Sequence, residues 1–481
     1  MNIRFVIKVL GRLLLLEGAF MSLSVILSLI YQDGVALKML LSAGITMATA
    51  LLVILISKEK SKNLGKKEGF LVVSLSWIIF SFFGTLPFLL SGSIPSFTDA
   101  FFETISGFTT TGASILNDIE ALPASVLFWR SMTQWIGGMG IIVLSLAILP
   151  LLGIGGLQLF VAEVPGPAPD KLHPKVKETA KRLWAIYVAF TLTEMILLLF
   201  GGMSFFDAFN HSLTTMATGG YSTKQASIAA WSSPYIHYVI SFFMLVAGTN
   251  FTMAYFALKG RTKKIWNNEE FRVYLGFLLG FTVIFTLVLS LSRGGLFEEN
   301  FRESIFQVVS IMTTTGYVTA DYLAWAPLLV TLIFILMFFG GSAGSTGGGI
   351  KIIRVWLTMK NSYLELKRIL HPNAVIPIRY NHRAVPDSIT SNILNFVVLY
   401  MLIFIVGVVV MAMLGMDMTS SMGAVAACLG NIGPGIGSVG PLDNFAQLPA
   451  FGKWFLGFLM LMGRLELFTV IVLLSPVFWR K

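Results

Sequence analysis

Apolar residues run through this chain in ten long stretches, at approximately residues 3–30, 35–57, 69–91, 123–150, 180–202, 232–258, 272–292, 326–359, 388–414 and 448–478. Each has about the 20 apolar residues that a helix needs to cross a bilayer. The eighth is interrupted. Its run at 326–339 meets GGSAGSTGGG at 340–349 before the chain continues as IKIIRVWL. Fourteen helical residues descend only about 21 Å, so the glycine tract is predicted at membrane depth. Irregular backbone is tolerated there only where protein buries it or water bathes it.

Four connections between stretches are also unusual. Residues 97–114, 205–222, 300–318 and 418–435 are too apolar for solvated loops and too short to cross. Each reads as a short helix closing at a glycine, namely Gly112, Gly219, Gly316 and Gly433, spaced 107, 97 and 117 residues apart. The spacing predicts an internal repeat of span, re-entrant helix, span. Its units are 68–165, 166–265, 266–375 (with the broken helix) and 376–481, after a two-helix hairpin in 1–67. The expected fold is an all-α integral membrane protein. It has ten transmembrane helices and four pseudo-symmetric repeats around one pore, plus the hairpin.

Composition agrees with this pattern. A chain of 481 residues that is 56% hydrophobic and 12% charged, with mean hydropathy +0.80, is not a soluble domain. The basic N-terminal start lacks a small-x-small cleavage site, so the first stretch reads as an uncleaved span. The net charge of +10 does not indicate nucleic acid, because the basic residues sort by side. With the N-terminus inside, inner segments hold 27 of the 34 Lys and Arg, which places both termini in the cytoplasm. The wider outer regions 91–122, 203–231, 294–325 and 415–448 carry 11 acidic residues against Lys224 and Arg302, an imbalance that gathers cations at a mouth. Five scattered His, one Cys and no paired carboxylates at helical spacing leave no catalytic constellation, and the chain is not expected to be an enzyme.

Four half-depth helices around one axis point to cation chemistry. Glycine takes positive φ and lets successive carbonyls face the axis; a ring of carbonyls replaces the water shell of a dehydrated cation. The candidate ligands are backbone carbonyls of Thr110, Thr111 and Gly112, of Ala217, Thr218 and Gly219, of Thr314, Thr315 and Gly316, and of Asn431, Ile432 and Gly433. The segments are unlike, so fewer well-defined ion sites are expected than in a ring of four identical ones.

At this point the chain resembles the Trk/Ktr/HKT superfamily of potassium uptake proteins, most of all its bacterial TrkH branch. The likeness rests on WRSMTQWIGGMGIIVL (129–144), SAGSTGGGIK (342–351), HPNA (371–374) and GRLELFT (463–469), and it spans the whole chain. The extra hairpin favours TrkH over eight-span relatives. The resemblance implies a homodimer in the bacterial inner (cytoplasmic) membrane, with one pore per subunit and K⁺ as the ion bound and carried. It implies no nucleotide on this chain, but a cytoplasmic TrkA-type nucleotide-binding ring protein docked on the inner face. The expected docking segments are 165–182, 259–272 and 361–387. In this superfamily serine in place of the first filter glycine accompanies Na⁺ preference, so Gly112 implies K⁺, with Rb⁺ as its surrogate.

The glycine tract then reads as a gate. Gly340, Gly341, Ser342, Ala343, Gly344, Ser345, Thr346, Gly347, Gly348 and Gly349 lie inward of the filter, across the ion path, and the resemblance also implies a gating loop here. Small-xxx-small helix packing is the competing reading; a phosphate-binding loop fails because no Gly-Lys-Ser/Thr follows. Arg464 joins the gate. It falls near the midplane, where an arginine costs about 2.5–3.5 kcal/mol on insertion scales, and its natural acceptors are the loop's free carbonyls. Glu17 and Glu194 are lone intramembrane carboxylates read as packing features. The rival function is a K⁺ symporter coupled to H⁺ or Na⁺. Channel-like permeation is favoured because the filter segments contain no titratable group closer than Glu103, His211 and Glu303.

Overall fold

The computed structural model describes residues 2–57, 65–140, 176–381 and 383–480. Among these, six helices are long and apolar enough to cross a membrane, and two bent helix pairs bring the number to eight if each pair is one span. Leu29, Phe200, Leu291 and Met413 are 64–87% exposed on their surfaces. Such large apolar side chains belong against lipid rather than water. The predicted span at 123–150 begins as helix Ala124–Trp135 and continues in a five-residue π-helical turn, Ile136–Gly140. Residues 141–150 lie outside the described residues, as do most of the basic segment 58–67, residues 171–175 of the basic segment 171–182, and most of the docking segment 165–182.

The hairpin is Ile3–Tyr31 and Ala36–Ile56, and its first helix packs on Lys66–Gly84 and Ala124–Trp135. Four half-length helices follow at the predicted places: Phe97–Phe108, Phe205–Met216, Phe297–Met312 and Met418–Gly430. Side chains satisfy the free N–H groups at three of their starts. Ser96 accepts from Asp99 N, Ser204 from Asp207 N and Asp417 from Ser420 N. The third start has no side-chain cap, but Glu298 and Glu299 in its first turn complement the helix dipole. The half-helices are exposed at their starts and buried along their C-terminal halves, and they lean on helices of neighbouring units. Phe205–Met216 packs on Ala124–Trp135, Phe297–Met312 on Pro234–Ala247, and Phe97–Phe108 on Ala450–Arg464.

One expectation needs correcting. The apolar pattern predicts 232–258 and 448–478 as unbroken spans and marks only 326–359 as broken. Instead Pro234–Ala247 turns by 109° into Phe251–Leu258, and Ala450–Arg464 turns by 118° into Phe468–Leu474. The span after Ala124 also leaves helical geometry, at Gly138. The cause is crowding against the half-helix ends. A Cβ on Gly137 would stand 1.9 Å from the Phe108 carbonyl oxygen, and one on Gly463 2.1 Å from that of Leu429. Chain that passes so close to another backbone cannot carry a side chain there, and it bends.

Candidate functional site

The four half-helices end alike. The left-handed region is occupied by Thr110 (φ 53°), Thr218 (52°), Thr314 (59°) and Asn431 (55°). The following N–H reaches five residues back, from Thr111 to Ser106 (2.8 Å), Gly219 to Thr214, Thr315 to Ser310 and Ile432 to Ala427 (each 2.9 Å). This closure usually employs glycine. Here threonine or asparagine bears the strain, and hydroxyl pairs brace two of the turns: Thr109 with Thr111 at 2.8 Å and Thr313 with Thr315 at 2.7 Å. Two residues beyond each left-handed residue stands a glycine with positive φ: Gly112, Gly220, Gly316 and Gly433.

The second segment therefore differs from its predicted register. Gly220 at φ 76°, not Gly219, matches Gly112, and Gly219 matches Thr111. ATGG offers two glycines in succession, and only the hydrogen-bond pattern tells which one carries positive φ. The half-helices likewise stop at a Thr or Asn turn, short of the glycine expected to close them, by two residues in three segments and by one in the second.

The segments touch in a closed cycle. A Cβ on Gly112 would lie 2.2 Å from the Gly219 carbonyl oxygen, one on Gly220 1.9 Å from that of Thr315, one on Gly316 1.8 Å from that of Ile432, and one on Gly433 2.9 Å from that of Thr111. Side chains fix the seams. Gln134 Nε2 donates to Gly219 O (2.6 Å) while its Oε1 accepts from Tyr221 N (3.0 Å). Asn431 Nδ2 donates to Thr111 Oγ1 (3.0 Å) and Met460 O (2.9 Å). Of the twelve predicted residues, eight make these approaches, and Thr110, Thr218 and Thr314 are the left-handed residues just before them. Gln134 is not among the twelve, because its partners are 85 and 87 residues away in sequence and no local motif marks it.

The glycine tract folds back on itself. Phe339–Gly340 pairs in parallel with Ile350–Lys351, closing residues 340–349 into a loop, and Lys351 Nζ donates to the Gly347 carbonyl. The loop lies against the half-helix ends. Gly348 N donates to Thr314 Oγ1 (2.6 Å), and Thr346 Oγ1 donates to Met216 O (3.1 Å) and Ala247 O (3.2 Å). A Cβ on Gly348 would be 2.5 Å from Gly430 O, and one on Gly347 2.9 Å from Thr313 O. Ser342 N donates to Gly248 O (2.9 Å), at the break in the 234–258 span, and Phe251 N to Gly344 O (3.2 Å). The buried Glu270 accepts from Ala343 N at 2.6 Å, another partner no sequence pattern announces.

Arg464 meets the loop. As the last residue of its helix it donates Nη1 to Thr346 O (2.7 Å) and Nη2 to Gly137 O (2.7 Å) and Gly138 O (2.8 Å). One guanidinium thus spans the loop and the π-helical turn. Glu466, two residues on, pairs instead with Arg354. Among the described residues no group of three or more His, Cys, Asp or Glu is placed to hold a metal ion.

Known proteins share this sequence and this fold. The chain matches the TrkH cation transport protein family over residues 39–294 and 297–481. It is 43% identical to the Trk system potassium uptake protein TrkH of Salmonella typhimurium and 42% to that of Escherichia coli K12, in each case over the full length of both chains. It is 36% identical to the Trk system potassium uptake protein TrkI of Halomonas elongata over 99% of this chain and 97% of that one. The crystal structure of the potassium transporter TrkH from Vibrio parahaemolyticus superposes over all of both chains with a TM-score of 0.90 at 36% identity. This is a multi-pass membrane protein of a transport family, and it belongs to the TrkH family.

Proposed function

We propose that the chain takes up K⁺ by channel-like permeation through the ring of segments around Thr110–Gly112, Thr218–Gly220, Thr314–Gly316 and Asn431–Gly433. The closed cycle of glycine-to-carbonyl approaches carries this reading. Four backbones that lean on one another in order enclose one axis, and their stacked carbonyls are what a dehydrated K⁺ requires. Each half-helix also directs its C-terminal end, worth about half a negative charge, toward that axis. The four units act as pseudo-symmetric repeats around the pore, and the hairpin packs outside them.

In the same reading the loop 340–349 is a gate in its shut position, and Arg464 is its latch. The carbonyls that end the half-helices are where an ion leaves the filter, and the loop occupies that exit. Both termini lie in the cytoplasm of a bacterium, the chain works as a homodimer in the inner membrane, and a nucleotide-binding ring protein of the TrkA type docks on the basic inner segments and acts on the loop. Purified protein in liposomes tests the transport step. The reversal potential should follow the K⁺ Nernst potential, with Rb⁺ replacing K⁺. A reversal potential that moves with pH or Na⁺ at fixed K⁺ identifies a symporter and overturns the channel reading.

A further inference from the structure

Seven residues before the left-handed residue of each segment, the half-helices carry Glu103, His211, Gln307 and Ala424. Three of these hold the outgoing strand of their own segment. Ser114 Oγ and Ile115 N donate to the Glu103 carboxylate (3.0 and 2.9 Å), His211 Nε2 meets Ser222 Oγ at 3.0 Å, and Gln307 Nε2 donates to Thr319 Oγ1 at 3.3 Å. Ala424 has no such group, and there Gly423 and Gly435 pack backbone on backbone. A second set of bonds crosses between segments. Tyr221, just after Gly220, donates its hydroxyl to the Glu103 carbonyl (2.6 Å), and Tyr317, just after Gly316, donates to that of His211 (3.2 Å).

Only the first of these ties is an ion pair. Arg130 donates Nε to the Glu103 carboxylate at 2.7 Å and Nη1 to Ser222 O at 2.9 Å, with its guanidinium 3.5 Å over the Tyr221 ring. The two side chains are 3% and 0% exposed. Arg130 also lines the cavity onto which Gly112, Gly220, Gly316 and Gly433 open. Burying an ion pair is poor value for stability, since desolvation offsets most of the attraction. What the pair does supply is geometry. The rigid fork of one arginine grips a carboxylate of the first segment and a carbonyl of the second, fixing the gap between them.

We propose that Glu103 and Arg130 are positioning residues that set the ion preference of the ring, by fixing the spacing of the first two segments and by cancelling a positive charge at its mouth. The proposal rests on the carbonyl-ring reading above. K⁺ and Na⁺ differ in radius by a fraction of an ångström, so a seam no longer held at its spacing can contract by that amount and coordinate the smaller ion. Charge adds a second effect. Glu103→Gln leaves an arginine that cannot be deprotonated beside the path and repels the incoming cation. Arg130→Gln leaves a carboxylate, which attracts it.

The test measures K⁺ and Na⁺ flux for monodisperse variants in liposomes, per folded protein. Both variants should lower the K⁺:Na⁺ flux ratio about tenfold, the scale of one hydrogen bond to a charged group. Glu103→Gln should raise the half-saturating K⁺ concentration and Arg130→Gln should not. A pair that only supports packing moves both half-saturations in the same direction and leaves the ratio alone, and that result overturns the proposal. Should either variant fail to fold, Tyr221→Phe deletes one hydroxyl at the same seam and keeps both charges. It should lower the ratio without moving half-saturation, and an unchanged ratio overturns the proposal equally. A wild-type protein that shows no preference for K⁺ defeats the ring reading itself, a distinct outcome.

Discussion

Gly112 has φ 82°, a region that disfavours any residue with a Cβ, and its missing Cβ would stand 2.2 Å from a neighbouring carbonyl oxygen. Gly112→Ser therefore adds about 1–2 kcal/mol of backbone strain and pushes the Gly219 carbonyl away from where an ion would meet it. Folded mutant protein should discriminate less between K⁺ and Na⁺; equal permeability ratios for mutant and wild type would remove Gly112 from the filter. The second segment provides a sharper comparison. Gly220→Ala meets both a positive φ and the Thr315 carbonyl, whereas the nearest atoms to a methyl in Gly219→Ala belong to the Gln134 side chain rather than to backbone. Flux per folded protein should fall further for Gly220→Ala, and the reverse order would restore the register read from sequence. That register was not legible, because consecutive glycines are chemically identical and the surrounding backbone decides between them. TTTG and TTTGY, by contrast, offer one glycine each and were read in place.

Among the elements, the glycine loop was legible as a break in an apolar run, since fourteen apolar residues followed by ten small ones fit no helix. The bends at 247–251 and 464–468 were not. Each is a short interruption inside a stretch whose hydropathy stays high, and its cause is a half-helix end contributed by another part of the chain. The same closeness predicts behaviour. Gly348→Ala places a methyl 2.5 Å from Gly430 O, so the loop cannot keep its seat. Flux without a partner should rise, and a variant as silent as wild type would show that the seat does not matter. Deleting the tract removes the barrier and should raise flux more. Arg464→Ala should also raise flux, but its guanidinium serves Gly137 and Gly138 as well as Thr346, so a lower yield of folded protein should accompany it. Combining it with the deletion should add little, because both act on one barrier. An Arg464→Ala flux at or below wild type, normalised to folded protein, would discard the latch.

The molecule as a whole joins the loop to the far end of Ile352–Leu370. Glu270 holds Ala343, while adjacent Glu269 accepts from Trp356 Nε1 (2.6 Å) and Asn381 N (3.1 Å) and pairs with Lys360. On that helix Lys367 and Arg368 are not equivalent. Arg368 Nη2 donates to Ile376 O at 2.9 Å and ties the helix to the segment that follows it, whereas Lys367 overlies Tyr363. Lys367→Glu should weaken capture of a TrkA-type ring protein with flux retained, and undiminished capture would leave the charge a purely topological role. Arg368→Glu should loosen that segment as well and lower thermal stability. The cycle of glycines has a further consequence. Each glycine abuts the carbonyl of the next segment in chain order, from first to second, second to third, third to fourth and fourth back to first. The ring thus has a rotational sense. A bulky residue in one segment displaces the segment ahead of it and leaves the one behind in place, so harm from substitution travels one way round. Because a single polypeptide writes all four segments separately, selection can alter one quarter of the ring and mend it in the adjoining quarter, a freedom that an assembly of four identical chains does not have.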